Sequence, residues 1–184
     1  MKTTATVAAL TGLLSSASAQ YFGLTSARSA SPIHYQSVSA SGQSLWLGKP
    51  TASYCPENVE DIDGCPAGNT TTFAGGEGSL SMGVIVPGGQ QVYVEPDTGA
   101  IKYTIAHSAA MPEGAIVTGW NTNPGNGFGI LSNENGGLLA CPCESDEGSW
   151  KVFVQLEGVS FDDGCLGFDA LTSNSTQAGA WQYS

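Results

Sequence analysis

Residues 97–100 read Asp-Thr-Gly-Ala, the sequence that surrounds the catalytic aspartate of retroviral-type aspartic proteases. Aspartic proteolysis needs two such carboxylates that share a proton across a buried interface. This chain carries one copy, and Glu95-Pro96 stands where an apolar strand normally leads into the aspartate. Because Pro-Asp-Thr-Gly is also an ordinary hairpin turn, the segment predicts a turn and not a protease.

The other acid–base groups are two histidines and several carboxylate clusters. A nucleophilic triad would use His34 or His107 as its base, but the chain has no Gly-x-Ser-x-Gly elbow for a serine nucleophile. The carboxylates lie in glycine-containing loops, where solvated charge is the usual state, and no complete calcium-binding loop is present. They are Glu57, Glu60, Asp61, Asp63, Glu144, Asp146, Glu147, Asp162 and Asp163. The sequence therefore predicts no catalytic residue, no metal ligand and no cofactor.

Five cysteines offer disulfide chemistry. Cys55 and Cys65 flank an acidic loop and could staple it, and Cys165 would then pair with either Cys141 or Cys143. Zinc is the alternative for Cys-Pro-Cys, but the usual ligand spacing and a second cysteine or histidine pair are missing. We therefore expect disulfides, with one cysteine left over.

Aromatic side chains could build a platform for stacking sugars. Trp46 and Trp150 lie in strand patterns and are expected in the core. Trp120 and Trp181 adjoin loops and are the candidates for ligand contact. These two residues carry the alternative hypothesis of a carbohydrate-binding module for chitin or glucan.

The N-terminus is typical of a secretory signal peptide: Lys2, an apolar stretch over residues 5–14, and a small-x-small cleavage site at 17–19. We expect removal of residues 1–19. The whole chain has a net charge of −11, and the signal peptide holds one basic residue and no acidic one. Such negative charge argues against nucleic acid and membrane as partners and allows cationic ones. Simple solubility in an acidic medium is the alternative reading of this charge.

The elements that must position these groups are strands. Residues 79–86, 91–95 and 100–108 are rich in β-branched and aromatic residues and are separated by Pro/Gly/Asp turns, which predicts a β-meander. Further strands are predicted at 21–27, 32–39, 44–47, 115–120, 128–131, 138–141 and 150–156. No stretch shows capped helical periodicity. We predict one all-β domain over residues 20–184, an antiparallel β-barrel or β-sandwich with disulfide-stapled loops.

Two N-glycosylation sequons begin at Asn69 and Asn174. In a secreted chain this motif predicts an exposed loop and an attached glycan. Both asparagines are therefore expected at the surface.

Several stretches resemble a family of small secreted ascomycete proteins, usually labelled IgE-binding or cell-wall (PhiA-like) proteins. Residues 87–94 (PGGQQVYV) and 103–108 (YTIAHS) carry the most specific part of the resemblance. The other matching stretches are residues 21–24, 33–34, 54–56, 65–66, 140–142 and 180–183. Cys143 departs from the family pattern, which leaves the partner of Cys165 open.

The resemblance implies a secreted, non-catalytic protein that is part of the wall or acts as an apoplastic elicitor or effector by binding host or wall components. Some relatives are described as allergens and others as elicitors that plants perceive. Its partner would be a cationic plant defence protein, a plant receptor or a wall polysaccharide, and a monomer is expected. A secreted hydrolase is the second alternative, after a carbohydrate-binding module. The implied recognition surface lies within residues 84–108, with Gln90, Gln91, Tyr93, Glu95, Asp97 and His107 as its exposed polar members.

Overall fold

The computed structural model describes residues 20–123 and 128–184, so the predicted signal peptide lies outside the described residues. This part forms short strands and one helix of 4 residues. In chain order they are β1 (Tyr21–Ala27), β2 (Ser39–Ser41), β3 (Ser44–Leu47), β4 (Ser53–Tyr54), α1 (Glu57–Glu60), β5 (Phe73–Gly75), β6 (Glu77–Gly78), β7 (Leu80–Met82), β8 (Val92–Val94), β9 (Ile101–Tyr103), β10 (Trp120–Asn123), β11 (Gly129–Asn133), β12 (Leu138–Pro142), β13 (Trp150–Val154), β14 (Leu166–Ser175) and β15 (Gln182–Tyr183).

The longest strand, β14, joins the parts of the main sheet. One of its edges pairs antiparallel with all of β1. The other edge pairs with β12 at residues 166–168 and with β11 at residues 170–172. The sequence analysis missed this strand because it is poor in β-branched and aromatic residues. The signal that could have revealed it is the alternation of buried Phe168, Ala170 and Thr172 with more exposed neighbours.

The main sheet curls until its two ends meet. From β14 it runs through β12, β13, β3 and β9 to β8 in one direction, and through β1 and β5 to β7 in the other. An isolated antiparallel bridge joins Ser81 of β7 to Gln91, the residue before β8. The fold is therefore a curled antiparallel half-barrel, closed by this bridge, which confirms the prediction of an all-β antiparallel fold.

The inside of the curled sheet holds an apolar cluster. Its largest fully buried side chains are those of Trp120, Tyr103 and Phe73. Burying one large apolar side chain contributes about 1.5–3 kcal/mol. This cluster is thus the main driving force for curling the sheet, since a flat sheet would leave one apolar face in water.

The predicted strand at residues 32–39 is wrong. Residues 31–35 form turns and a bend, Tyr35 has a left-handed φ of 60°, and Ser37 makes one isolated bridge to Thr25 of β1. The buried Ser26 hydroxyl contacts the carbonyls of Ile33 and Gln36, so the loop folds around this side chain. A local polar contact therefore overrides the strand propensity of the segment.

Two disulfides cross-link loops of the described chain, Cys55–Cys65 and Cys141–Cys165. The first encloses α1, and the second ties the end of β12 to the residue before β14. The sequence left open whether Cys141 or Cys143 pairs with Cys165, and in the structure the partner is Cys141. Cys143 is a free, half-buried thiol, and the nearby Ser145 hydroxyl lowers its pKa.

The C-terminal residues are fixed by the buried side chain of Gln90. Its amide donates to the carbonyls of Thr104 and Tyr183 at 2.9 and 3.0 Å, and its oxygen accepts the Tyr183 N–H at 2.8 Å. The Tyr183 hydroxyl in turn accepts from the Thr72 N–H at 2.9 Å and donates to the Thr70 carbonyl at 3.0 Å. We call these five residues the C-terminal clasp. It pins the end of the chain across the half-barrel.

Replacing Gln90 by Met should lower the free energy of unfolding by about 3 kcal/mol or more. The substitution keeps a similar side-chain volume but leaves three buried peptide groups without partners, and each costs about 1–3 kcal/mol. Urea denaturation of the variant measures the change. Gln177→Met, at an exposed glutamine, is the matched control, and equal stability of the two variants would contradict the clasp.

Candidate functional site

The expected recognition surface is only partly exposed. Gln90 and Tyr93 are 2% and 7% exposed, so the prediction that they are surface residues is wrong. Gln90 is part of the C-terminal clasp, and Tyr93 lies in β8, paired with Lys102 of β9. Gln91 is half-buried, and its amide donates to the Leu80 carbonyl at 2.7 Å and to the Val92 carbonyl at 3.0 Å. These three residues therefore hold the framework together.

The remaining predicted members lie nearer the solvent. Asp97 is exposed in a tight hairpin, where Gly99 has a φ of 73° and donates its N–H to the Glu95 carbonyl at 2.8 Å. The Asp-Thr-Gly-Ala segment is thus the predicted turn. His107 is exposed as well, at a left-handed φ of 61°. Exposure leaves Asp97 and His107 available to a partner, and their recognition role stays a prediction.

Glu95 is half-buried and forms an ion pair. Its carboxylate accepts from Lys102 Nζ at 2.8 Å and from the Thr98 hydroxyl at 2.7 Å. The Lys102 hydrogen bond, followed by that of Thr98, lowers the pKa of Glu95. The carboxylate therefore stabilises the second hairpin of the meander.

A groove of about 400 Å³ opens between β1, the end of β14, and residues 49–51 and 69–72. Hydroxyl groups dominate its walls, and no Asp or Glu lines it although the chain has 16 of them. Its lining residues are Gly23, Leu24, Thr25, Ser37, Ser39, Lys49, Pro50, Thr51, Asn69, Thr70, Thr71, Thr72, Ser173, Asn174 and Ser175. We call this feature the hydroxyl groove.

The register of β1 against β14 shapes the floor of the groove. Gly23 lies opposite Ser173, and a Cβ atom on Gly23 would come within 3.1 Å of the Ser173 hydroxyl. Gly23 does not have the positive φ that makes glycine necessary elsewhere in this fold. Since glycine weakens the interior of a strand, its presence here fits a site where another molecule approaches the backbone.

The rear wall of the groove is rigid. The Thr71 hydroxyl accepts from the Ala40 N–H at 2.8 Å and lies 2.8 Å from the Thr51 hydroxyl. Thr72 is buried and bonds the Gly83 carbonyl at 3.1 Å. Ser37 and Ser173 also line the groove, and both residues are exposed. The groove therefore offers fixed hydrogen-bonding groups without a formal negative charge.

Both sequon asparagines line this groove. Asn69 is exposed in a loop, as predicted. Asn174 is exposed but lies in β14 and not in a loop, and its side-chain oxygen accepts from Gln20 at 3.3 Å. The loop prediction failed for Asn174 because β14 itself was missed.

A second polar surface lies on the outer side of β3, β9 and β13. We call Trp46, Lys49, Lys102, Lys151 and Phe153 the lysine face. Lys151 pairs directly with Trp46 across β13 and β3, and its Nζ lies 5.8 Å from the Trp46 ring and 6.0 Å from the Phe153 ring. Lys49 Nζ lies 4.5 Å from the Trp46 ring. Such distances are those of cation–π contacts.

The lysines differ in how their charge is balanced. Lys49 pairs with Asp146 at 2.8 Å, and Lys102 pairs with Glu95 at 2.8 Å. Among residues 20–123 and 128–184, Lys151 has no carboxylate within 4.0 Å. Burial lowers the pKa of Lys151, and the positive charge of Lys102 lowers it further.

Two of the four tryptophans, Trp120 and Trp46, lie elsewhere than the sequence predicted. Trp120, expected near a ligand, is 1% exposed in the core, because β10 turns its first residue inward. Trp46, expected in the core, is half-buried on the lysine face. Trp150 is also half-buried, while it packs against the core cluster. Trp181 is half-buried and lines a cleft of about 210 Å³ beside Tyr54 and the first disulfide.

The structure gives His34 a role in the framework. Its Nδ1 accepts the Arg28 N–H at 3.1 Å, and its ring stacks on Tyr35 at 3.8 Å. Within the described part of the chain, no group of three or more His, Cys, Asp or Glu residues could hold a metal ion. No helix of that part is long and apolar enough to cross a membrane.

These features define a disulfide-bonded, all-β protein with a hydroxyl-lined groove and a lysine-rich face. The family model of the PhiA-like secreted proteins matches residues 22–184, and the chain belongs to this family. This confirms the resemblance seen in the sequence and the prediction of secretion. No solved structure matches the chain.

Its relatives are fungal proteins. An "Uncharacterized secreted protein" of Arthroderma benhamiae is 38% identical over 161 residues, which cover 79% of this chain and 76% of that protein. The "Cell wall protein phiA" of Aspergillus niger is 27% identical over 168 residues, 88% of this chain and 84% of that protein. The protein of the same name from Aspergillus fumigatus is 25% identical over 170 residues, 89% of this chain and 85% of that protein.

Glu95→Gln should lower the free energy of unfolding by about 0.5–1 kcal/mol at neutral pH, because it removes a half-exposed ion pair. The folded protein lowers the pKa of Glu95 from its ordinary 4.5. The stability that the ionised Glu95 carboxylate contributes is therefore complete above pH 4.5. It is lost as the pH falls through the lower pKa that Glu95 has in the folded protein. Denaturation curves at several pH values measure this. Glu113→Gln, at an exposed carboxylate, is the control, and a difference that persists below the folded pKa would contradict the assignment.

Proposed function

We propose that the protein is a non-catalytic component of the fungal wall, retained there by binding a wall polysaccharide along the hydroxyl groove. The observation that carries this proposal is the chemistry of the groove lining. Hydroxyl and amide groups exchange hydrogen bonds with sugar hydroxyls, and a carboxylate-free wall avoids desolvating charge when a neutral chain binds. Two relatives bear the name cell wall protein, which fits retention in the wall.

The arrangement of acid–base groups supports a binding role over a hydrolase. His34 is held by backbone and stacking contacts, and the Asp-Thr-Gly-Ala segment is a solvent-exposed turn. Hydrolysis of glycosides needs two carboxyl groups that face each other across the sugar. The hydroxyl groove has no carboxyl group in its lining.

Glycans on the protein itself belong to the same proposal. A glycan attached to Asn69 or Asn174 would stand at the rim of the groove, since both side chains line it. It would then narrow the entrance for a polysaccharide. Binding should therefore be measured on protein made without N-glycans and compared with the secreted form.

Gly23→Val should abolish retention on insoluble chitin or β-glucan while leaving the fold intact. The new side chain projects from the groove floor, its Cβ atom meets only the movable Ser173 hydroxyl within 3.4 Å, and valine favours strand structure. A co-sedimentation assay measures retention, and a thermal melt checks folding. Gly137→Val is the matched control, because a Cβ atom there meets nothing within 4 Å. Equal sedimentation of both variants, or no binding by the unmodified chain, would refute the proposal.

A second candidate function is the capture of a cationic plant defence protein, which fits an apoplastic effector or elicitor. It rests on the acidic loop around α1, where Glu57, Glu60, Asp61 and Asp63 are all exposed. No ion pair within the described chain neutralises these four side chains. An uncompensated charge cluster speeds and strengthens association with an oppositely charged surface.

Converting these four carboxylates to amides should weaken binding of a basic thaumatin-like protein about tenfold at low salt, and high salt should erase the difference. Titration calorimetry measures the affinity. The control converts Glu144, Glu147, Asp162 and Asp163, which are also exposed, so that the net charge changes equally. An equal loss of affinity in both variants would mean that the net charge, and not the acidic loop, drives binding. Absence of binding by the original chain would refute this candidate function. Leaf infiltration with both variants then tests perception by a plant receptor.

A further inference from the structure

We propose that the lysine face is a binding site for an acidic sugar, with the Lys151 ammonium group receiving the carboxylate of a uronate residue in an extracellular polysaccharide. This site is separate from the floor of the hydroxyl groove. It adds a preference for a charged sugar to a protein whose overall charge is strongly negative.

The first support is the concentration of positive charge. Residues 20–184 contain four Lys and Arg residues, and three of them are on the lysine face. Strand register brings them together: Lys151 lies opposite Trp46, and Lys102 lies opposite Ser44, two residues before Trp46 on the same strand. Side chains two apart on a strand share a face, so both lysines project from one side of the sheet.

The second support is that Lys151 has no carboxylate within 4.0 Å among the described residues, although the more distant Glu95 carboxylate acts on it electrostatically. Its two neighbours in the lysine face are paired with carboxylates, but Lys151 is not, although the chain has 16 acidic residues. Half-burial of an ammonium group between two aromatic rings is costly without a partner. A carboxylate from outside would restore the missing interaction, and charge-assisted hydrogen bonds of this kind are about twice as strong as neutral ones.

The aromatic rings indicate a sugar as the bearer of the carboxylate. Trp46 and Phe153 flank Lys151, and aromatic rings pack against the apolar C–H faces of a pyranose. One unpaired ammonium group matches one carboxylate charge, whereas phosphate recognition favours several donors or an arginine fork.

The lysine face is continuous with the hydroxyl groove. Lys49 belongs to both, since it lines the groove and also lies over the Trp46 ring. A polysaccharide that leaves the groove past Lys49 reaches the lysine face directly. The two surfaces can nevertheless be tested apart, because Lys151 does not line the hydroxyl groove and Gly23 is not part of the lysine face.

The test is calorimetric titration with short oligogalacturonates, which limit repulsion from the net charge. The comparison ligands are the same oligosaccharides with their carboxylates reduced to alcohols, inorganic phosphate, and short polyglutamate. Of these ligands, we expect only the oligogalacturonates to bind. Lys151→Met should weaken it about tenfold or more, the factor for loss of one charged hydrogen bond, and Lys151→Arg should retain most of it.

Arg28→Gln is the matched control, because Arg28 is the one Lys or Arg of residues 20–184 that lies outside the lysine face. Its affinity should equal that of the unmodified chain. Thermal melts should show Lys151→Met to be as stable as the parent, since the substitution removes a half-buried charge and keeps the apolar stem. The proposal would be overturned if Lys151→Met bound oligogalacturonates as tightly as the unmodified chain. It would also be overturned if the unmodified chain bound phosphate or polyglutamate as tightly as oligogalacturonates. Retention on neutral glucan, the test of the hydroxyl groove, should be unchanged in this variant.

Discussion

The fold depends on how the chain closes on itself, and the Gln90 side chain is central to this closure. One amide satisfies both peptide groups of Tyr183 and the carbonyl of Thr104. The Ser81–Gln91 bridge closes the curled sheet one residue further along. A buried network of this kind specifies one arrangement, because any slip leaves several polar groups unpaired in a medium of low dielectric constant. The rigid half-barrel that results is what gives the surface sites their shape.

The clasp brings together three of the stretches on which the resemblance to the family was based. The stretch PGGQQVYV supplies Gln90, the stretch YTIAHS supplies Thr104, and the C-terminal stretch supplies Tyr183. Three distant segments thus meet at one point of the structure. Gln90, Gln91 and Tyr93, which the sequence suggested as recognition residues, belong to the framework. The surfaces proposed for binding are built instead from a glycine, several Ser and Thr residues and three lysines.

Charge is distributed unevenly over this framework. Carboxylates crowd the loop around α1, while the hydroxyl groove has none and three lysines gather beside it. Asp146 and Glu95 balance two of these lysines, so the unpaired positive charge of the region is that of Lys151. Since salt screens charges beyond about 10 Å, the groups nearest Lys151 outweigh distant carboxylates in the field at this site.

The sequence by itself determined secretion, the all-β class, the Cys55–Cys65 disulfide and the turn at Asp97, because each rests on local composition or on a short motif. It failed for β14, whose residues have weak strand propensity and are strands only because they pair on both edges. It failed for Gln90 and Trp120 as well, because both lie beside loops and only the tertiary fold shows that the C-terminal residues bond to Gln90 and that Trp120 enters the core. The tertiary structure alone decided which cysteine pairs with Cys165, where the hydroxyl groove opens, and which lysines converge. All three depend on the register between strands that are distant in sequence.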